Sequence, residues 1–403
     1  MRNEKINTVI VLGGGINGLG IVRSFQKKNI PVFVLTAEKD FIRFSRFCKT
    51  DICPDPKTED FVGFLYQYCK KISNKPVVFA TADVFLIPLI RNKKKLEEVA
   101  YIPTCDQDLF DKLIEKTCLY RFAEEVGVAC PKTKNLLAEE IDMTIADGML
   151  YPLIVKPSVN ITFQKTFGQK ALLISTKDEL SDFVRKVRSK SYKGPLIIQE
   201  YIPGDMTTLY TITSYADKNS QIRGYSIGHK IRQYPAKTGT ITAGLVEHVE
   251  YIVEMSKRFI GAIGFYGISN IEYKYDKRDG LYKLMEINPR TGLWNLSVLE
   301  SGINLPLMAY NDILGKAIYD ESNPKVRLIW AYTVFDMLIS IHGYKSNGDL
   351  EESLSFRQWR NSIKGCRKVD AIYRWNDPLP FIVNTIELIA YSIKKMVVKK
   401  TMN

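Results

Sequence analysis

The segment 8–35 constrains the fold most, because it joins two apolar runs through a glycine-rich turn and an amphipathic stretch. Thr8–Leu12 and Pro31–Leu35 are short apolar runs typical of buried strands, and Leu19–Lys28 has the apolar spacing of a helix. The turn before that helix is Gly13–Gly18. A strand, a turn, a helix and a second strand in this order predict a βαβ unit and therefore a parallel sheet.

The remaining segments predict more than one domain, because 403 residues are too many for one core of ordinary size. A helix at 61–72 and a strand at Pro76–Ala80 extend the first pattern to a domain that ends near residue 105. A helix is predicted over 108–126. From Tyr151 to Tyr275 strand-like runs dominate, which predicts an α+β domain. The runs are Leu153–Lys156, Ala171–Ser175, Leu196–Gln199, Thr208–Tyr215, Ile222–Ile227 and Ser269–Tyr275, with helices at 177–190 and 247–263.

The C-terminal region is predicted to be helical, with one helix at Arg327–Ile341 and another at Phe381–Lys399. We therefore divide the chain at 1–105, 106–320 and 321–403. The last stretch, Pro380–Asn403, combines apolar positions with four late lysines. Such a basic amphipathic helix can lie on an anionic membrane surface, and packing against the core is the alternative.

The charge balance favours anionic partners, since 57 Lys and Arg against 44 Asp and Glu give a net charge of +13. No RNA-binding motif or basic stripe accompanies this excess, so a nucleic-acid partner is not expected. The seven cysteines include no C-x-x-C pair and the histidines number three, which argues against a zinc site. The odd cysteine count favours reduced thiols in a cytoplasm. Neither a secretory signal nor an apolar run of about 20 residues is expected.

The glycine-rich turn leaves two interpretations open. Gly13, Gly15 and Gly18 match the G-x-G-x-x-G pattern of dinucleotide sites, after a strand and before a helix. A dinucleotide site also needs an acid at the end of the second strand, and here Glu38 comes late. An NAD- or FAD-dependent oxidoreductase is therefore the alternative. A tight turn, which touches an anionic substrate at the helix N-terminus, is preferred.

A predicted hairpin near residue 280 carries a set of oxygen ligands. Alternation along its first strand puts Asn270 and Glu272 on one face, and along its second strand Glu286 and Asn288 share a face. Pairing of the two strands would bring Glu272 beside Glu286. Two carboxylates and an amide oxygen are ligands that Mg²⁺ prefers, and Arg290 adds a fixed positive charge. Two solvated acids on an edge hairpin are the alternative.

Four motifs occur in a fixed order along the chain. They are Lys116 with Gly127-Val128-Ala129-Cys130-Pro131, the strand Pro152–Pro157 that carries Lys156, the segment Ile197–Asp205, and Glu272 followed by Glu286-Ile287-Asn288-Pro289-Arg290. Over about residues 5–315 this pattern resembles the ATP-grasp superfamily, and in particular carboxylate–amine ligases such as D-aspartate ligase and biotin carboxylase-like enzymes. The resemblance implies a Rossmann-like pre-ATP-grasp domain, an ATP-grasp fold of two α+β subdomains that clasp ATP, and a small helical C-terminal region.

The resemblance also implies roles for individual residues. The implied ATP-binding residues are Lys116, Lys156, Gln199, Glu200, Tyr201, Ile202 and Asp205, with either Gln199 or Glu200 facing adenine. The implied ligands of Mg²⁺, or of Mn²⁺ in its place, are Glu272, Glu286 and Asn288. The implied catalytic residues are Arg290, Lys230 and Arg232. Surface lysines and a turn aspartate remain the alternatives for Lys116, Lys156 and Asp205.

Two further segments are interpreted through the resemblance. The phosphate-covering loop of the family is usually rich in glycine, whereas the matching stretch Ser158–Lys170 contains one glycine, so Lys165 and Lys170 would act there by charge. Thr291–Asn295 is expected to line the pocket for the acceptor, and a packed Trp294 is the alternative.

The implied reaction joins a carboxylate to an amine. ATP phosphorylates the carboxylate, ADP is released, an amine attacks the acyl phosphate, and phosphate leaves. Such chemistry needs positioned charges rather than a nucleophilic side chain. The expected substrates are a small carboxylate and a small amine, for example an amino acid and a cell-envelope or polysaccharide precursor. The expected location is the cytoplasm, with contact at the inner membrane surface through the C-terminal tail. A non-catalytic ATP-grasp-like module would require missing metal ligands, and all are present.

Overall fold

A computed structural model describes residues 6–157, 160–169, 171–235, 239–323, 325–342, 345–346, 349–350 and 353–401. These residues form sheets of four, seven, two and four strands. All seven cysteines are free thiols, as the odd cysteine count predicted. Among the described helices, none combines the length and the apolar character that crossing a membrane requires.

The N-terminal strands form a parallel sheet. They are β1 Val9–Leu12, β2 Val32–Thr36, β3 Lys49–Ile52 and β4 Val77–Ala80, and the helices are α1 Gly15–Phe25, α2 Asp60–Lys70, α3 Asp83–Arg91 and α4 Lys93–Leu96. The strand order is β3-β2-β1-β4. Ile10 and Leu12 pack into one hydrophobic cluster and Val9 and Val11 into another, so β1 is buried on both faces. The predicted βαβ unit is therefore confirmed.

A second, antiparallel sheet follows. Its strands are β5 Thr133–Leu137, β6 Leu153–Pro157, β7 Leu172–Ile174 and β8 Pro195–Glu200, and the helices of this region are α5 Gln107–Ile114, α6 Lys116–Glu125, α7 Asn160–Phe167 and α8 Lys177–Ser189. The strand order is β5-β8-β6-β7. Leu153 and Ile198 pack with Leu180 of α8, which covers one face. Lys156 and Gln199 therefore belong to the opposite face.

The prediction of a single helix over 108–126 is wrong, because the structure has two helices that are divided at Glu115. Glu115 has extended backbone angles and separates α5 from α6. Its carboxylate accepts hydrogen bonds from the amides of Thr117 and Cys118, at 3.0 and 2.9 Å. An acidic N-cap satisfies amides that have no partner inside a helix. Lys116 is consequently the first residue of α6.

The third sheet is the largest and contains the predicted hairpin. The strands of this part of the chain are β9 Leu209–Ala216, β10 Ile222–Tyr234, β11 Thr240–Val246, β12 Gly267–Asp276, β13 Leu281–Asn288, β14 Leu328–Ala331, the two short strands β15 Lys345–Ser346 and β16 Asp349–Leu350, and β17 Arg367–Asp370. The helices are α9 Glu250–Ala262, α10 Asn295–Glu300, α11 Leu305–Ile313, α12 Thr333–His342, α13 Phe356–Ser362 and α14 Leu379–Thr401. The seven-stranded order is β13-β12-β9-β10-β11-β14-β17, and β15 pairs only with β16.

Two predictions for the later part of the chain are wrong. The helix predicted at Arg327–Ile341 begins only at Thr333, because Leu328–Ala331 is a fully buried strand paired with β11. Periodicity alone does not separate a short apolar strand from a buried helix. The strand predicted at Ile222–Ile227 continues to Tyr234 and forms a hairpin with β11, with residues 236–238 outside the described part. The C-terminal helix is confirmed as α14, while the boundaries at 105 and 320 stay predictions.

Candidate active site

The predicted pairing of acids across the hairpin is confirmed. In the register of β12 and β13, Glu272 lies opposite Glu286 and Asn270 lies opposite Asn288. A register shift follows immediately after Glu272, where the bulge adds one residue to β13. The two carboxylates and the Asn288 amide are thus brought to one face of the sheet. Asn288 Nδ2 donates to Glu286 Oε1 at 3.1 Å, which orients the amide beside the carboxylate.

These side chains line a cleft of about 410 Å³. It is bounded by the hairpin, by β9 to β11, by the loop after β13 and by the start of α3. Its charged residues are Asp83, Lys230, Glu272, Glu286 and Arg290, and its other lining residues are Thr211, Gly239, Thr240, Ile241, Asn270, Asn288, Gly292, Leu293 and Trp294. Trp294 lines the cleft and also stacks on Trp330, with ring centroids 6.0 Å apart, so its packing is confirmed and its contact with the acceptor stays a prediction.

The electrostatics of Glu272 fit a divalent cation. Burial raises the pKa of the Glu272 carboxyl, the Lys230 ammonium opposes this shift, and the Glu286 carboxylate adds to it. The described residues contain no group of three His, Cys, Asp or Glu arranged for a metal. Two carboxylates and one amide oxygen suit Mg²⁺, because this ion keeps water and phosphate oxygens among its ligands.

Glu272→Gln is expected to raise the melting temperature of the metal-free protein at neutral pH. The pKa of Glu272 is higher in the folded state, so folding opposes ionisation, and a neutral isostere removes this cost. Thermal unfolding in the presence of a chelator measures the effect. The control is Glu254→Gln, which changes an exposed residue of α9. A lower melting temperature for Glu272→Gln would show instead that Lys230 stabilises the carboxylate.

Arg290 is held by a partner that the sequence did not reveal. Its Nε and Nη2 donate to the two oxygens of Asp83, at 2.6 and 2.9 Å. Asp83 is the first residue of α3, just beyond the carboxyl end of β4. Ligand sites in open parallel sheets lie at this end of the strands, and this signal could have indicated Asp83. Asn270 Nδ2 donates to the Arg290 carbonyl, which fixes the backbone of the same residue.

Lys116 and Lys156, both predicted to bind ATP, lie near each other. Burial lowers the pKa of the half-buried Lys156, and the positive charge of Lys116 lowers it further. The same Lys116 charge also acts on Glu272. Lys156 Nζ lies 3.5 Å from Gln199 Oε1. Lys116 is therefore within electrostatic reach of both Lys156 and Glu272.

The two adenine candidates, Gln199 and Glu200, are the last residues of β8 and lie on opposite faces of its sheet. Gln199 is the one on the Lys156 face of its sheet, whereas Glu200 points to the other side. Glu200 binds Lys283 Nζ at 3.2 Å and accepts from the amides of Leu150 and Lys132, at 2.8 and 3.4 Å. Glu200 is therefore engaged in buried structural contacts. The register favours Gln199 as the side chain that faces a base.

The other predicted ATP-binding residues of the segment Ile197–Asp205 also make contacts within the protein. The carbonyl of Ile202 accepts from Lys274 Nζ at 2.7 Å, and the Lys274 ammonium lies over the ring of Tyr201. Asp205 accepts from the amide and hydroxyl of Thr207, at 2.9 and 2.6 Å, and these bonds lower its pKa. Asp205 thus caps a turn here, and its contact with ribose stays a prediction.

Lys230 and Arg232 differ in position, although both were predicted to be catalytic. Lys230 lines the cleft, but Arg232 is not among the described side chains that do so. Arg232 Nη2 and Nε bind the buried carboxylate of Asp336, at 2.6 and 2.9 Å, and Nη1 donates to Ser362 Oγ at 2.6 Å. A register shift between Lys230 and Arg232 separates the two residues along β10. The sequence predicted that Arg232 is catalytic. The structure instead places it in a buried ion pair with Asp336.

The glycine-rich turn is filled by a carboxylate of the protein itself. Asp40 accepts from the amides of Gly15 and Ile42, at 2.8 and 2.9 Å, at the N-terminus of α1. A Cβ on Gly14 would lie only 2.7 Å from the Asp40 carboxyl carbon. A dinucleotide pyrophosphate would have to displace this negative group. The structure therefore gives no support to the oxidoreductase alternative.

Asn17 of the glycine-rich turn connects the N-terminal sheet to the loop after β13. Asn17 Nδ2 donates to the carbonyls of Thr81 and Thr291, at 2.7 and 2.9 Å. Thr291 follows Arg290 directly, so the buried Asn17 joins the first sheet to the loop that carries the arginine.

The predicted phosphate-covering segment is largely helical. Residues Asn160–Phe167 form α7, with Phe163 buried and Lys165 exposed. Residues 158, 159 and 170 lie outside the described residues, and with them the prediction for Lys170.

Comparisons with known proteins agree with this geometry. A family model described as "ATP-grasp in the biosynthetic pathway with Ter operon" matches residues 195–334. A D-aspartate ligase of Enterococcus faecium (strain Aus0004) is 28% identical over 331 residues, covering 77% of this chain and 77% of that protein. An L-amino acid ligase from Bacillus licheniformis matches with a TM-score of 0.55 and 18% identity, over 77% of this chain and 75% of that one. A biotin carboxylase from Campylobacter jejuni has a TM-score of 0.58 and 14% identity, over 80% and 73%.

By sequence and fold the chain is similar to ATP-grasp ligases, ADP-forming enzymes that use ATP with Mg²⁺ or Mn²⁺. Within that class its similarity is to carboxylate–amine ligases. The predicted fold class is confirmed.

Proposed function

We propose that the protein activates the carboxylate of an amino acid as an acyl phosphate and joins it to an amine of a cell-envelope or polysaccharide precursor. The observation that carries this proposal is the pair Glu272 and Glu286, placed opposite each other in one cleft with Lys230 and Arg290. The names of the two amino-acid ligases among the relatives support an amino acid as one substrate.

The residues that line the cleft and the predicted ATP-binding residues have different roles in phosphoryl transfer. Lys116 and Lys156 neutralise the phosphates of ATP, and the Gln199 side of β8 receives the base. Glu272, Glu286 and Asn288 would hold the Mg²⁺, which would supply positive charge to neutralise phosphate oxygens. Arg290 and Lys230 stabilise the negative charge on the transferred group. The amine then attacks the acyl carbon, its nitrogen loses a proton, and phosphate leaves.

The test is ADP release by the purified protein with Mg·ATP, screened with amino acids paired with amine-bearing envelope precursors. Mass spectrometry of the product identifies the new amide bond. Absence of ADP release with every pair, together with absence of Mg·ATP binding, would overturn the ligase function.

We also propose that α14 brings the protein to the cytoplasmic face of an anionic membrane, where a lipid-linked precursor would lie. One side of the helix packs on the protein, since Phe381 joins a hydrophobic cluster and Asn384 accepts from Tyr332 Oη at 2.8 Å. The other side of the helix has a row of exposed apolar side chains three or four residues apart, namely Leu379, Ile382, Ile386 and Ile389. Trp375, just before the helix, is 82% exposed. The sequence then adds Lys394, Lys395, Lys399 and Lys400.

Ile386→Glu is expected to weaken binding to phosphatidylglycerol vesicles about ten-fold, because it removes one apolar side chain from the lipid interface. Co-sedimentation with vesicles measures this binding, and vesicles of phosphatidylcholine alone test the need for negative charge. Ile52→Glu is the matched control, since Ile52 is a similarly exposed isoleucine on β3. Equal loss in both variants, or equal binding to both vesicle types, would contradict the membrane proposal.

A further inference from the structure

We infer that Asp83 binds the ammonium group of the amino acid whose carboxylate is activated, and so selects amino acids over acids that lack an amino group. This inference rests on the proposed ligase function and names a specificity-determining residue within it. No sequence motif indicated Asp83; it follows from the geometry and the charges of the cleft.

The position of Asp83 is suited to contact with a substrate. Its side chain is 54% exposed and lines the cleft at the start of α3, on the side formed by the N-terminal sheet. Its partner Arg290 approaches from the end of β13, close to Asn288 and the two metal carboxylates. A substrate that reaches the phosphoryl group beside Arg290 therefore passes within contact distance of the Asp83 carboxylate.

The charges of the cleft leave Asp83 without a role in phosphoryl transfer. Among the residues that the structure describes, the positive side chains that line the cleft are Lys230 and Arg290, and the negative ones are Asp83, Glu272 and Glu286. A divalent cation held by the two glutamates would balance their charge, and Lys230 and Arg290 would face the transferred phosphoryl group. Asp83 is then an additional negative charge beside a negative reacting group, which is unfavourable unless the substrate brings a positive charge. An α-ammonium group supplies that charge.

The geometry leaves room for this contact. Each oxygen of Asp83 accepts one bond from Arg290. A carboxylate has about four lone-pair sites, so about two remain for an ammonium group. The forked arginine contact fixes the orientation of the carboxylate, which favours selective recognition of a second donor. The competing role for Asp83 is to position Arg290 and nothing more.

The experiment measures activation of the acid separately from the unknown amine. Hydroxylamine replaces the amine: its nitrogen attacks the acyl carbon and loses a proton, the bond from carbon to the phosphate oxygen breaks, and a hydroxamate and phosphate form. The acids are D-aspartate and L-aspartate beside succinate, alanine beside propionate, and glutamate beside glutarate. The measured quantity is the ratio of kcat/KM for each amino acid to kcat/KM for its partner without the amino group.

Wild-type protein is expected to prefer at least one amino acid, and Asp83→Asn is expected to reduce that preference about ten-fold or more, as loss of a charged hydrogen bond does. Asp83→Glu keeps the charge and is expected to retain more of the preference than Asp83→Asn. A fall in both rates by the same factor, with the ratio intact, would show a positioning role and overturn the inference. Lack of any preference in the wild type would also overturn it. If no acid yields hydroxamate or ADP, the proposed function itself fails.

Discussion

Glu286→Gln is expected to lower the rate of ADP release by about 10³-fold or more while leaving the fold intact. The variant keeps the size of the side chain and removes the charge of one of two carboxylates that face each other across β12 and β13. Loss of a single preorganised electrostatic contact to a reacting group costs about 10²–10³-fold, and a metal ligand also sets the position of the phosphates. Steady-state ADP release with saturating Mg·ATP measures the effect.

The control for this prediction is Glu254→Gln, which makes the same change on the exposed surface of α9 and should leave ADP release unaltered. Thermal unfolding adds a measurement that does not depend on the amine substrate. Mg·ATP should raise the melting temperature of the wild type, because a ligand that binds only the folded state stabilises it, and should raise that of Glu286→Gln much less. If Glu286→Gln is fully active, the metal assignment is wrong.

The hairpin that carries this site could be predicted because two local rules determine it. Alternation along a strand fixes which side chains share a face, and a short turn fixes which residues of the two strands meet. The sequence therefore predicted Glu272 beside Glu286, and the register confirms it. Local patterns also identified β1, α1 and β2, because two apolar runs flank a glycine-rich turn and an amphipathic helix.

Features that depend on distant parts of the chain were not predicted. Asp83 meets Arg290 across 207 positions of sequence, and Arg232 meets Asp336 across 104. The sequence near Arg232 does not show whether this residue lines the cleft, as Lys230 does, or forms a buried ion pair. The choice between Gln199 and Glu200 as the residue facing adenine also depends on a distant contact, because Glu200 binds Lys283, which lies 83 positions away in the sequence. Residues Leu328–Ala331 were assigned to a helix because a four-residue apolar run has no period of its own.

Asp336→Ala is expected to lower the free energy of unfolding by about 3–5 kcal/mol, because it leaves Arg232 charged and buried without its partner. The Asp336 carboxylate is fully buried. Besides Arg232 it accepts from Thr242 Oγ1 at 2.7 Å and Trp359 Nε1 at 2.8 Å, and both donors would lose their acceptor. Urea denaturation measures the change, with the exposed Asp111→Ala as the control.

A double variant separates this structural role of Arg232 from the catalytic role that the sequence predicted. Arg232→Met with Asp336→Leu removes both charges, and well-packed apolar residues can replace a buried ion pair with little loss of stability. We expect the double variant to recover most of the stability lost in Asp336→Ala and to retain ADP release. A double variant that is stable but inactive would return Arg232 to the catalytic residues. Equal instability of the double and single variants would contradict the account of the ion pair, because the cost would then not arise from an unpaired charge.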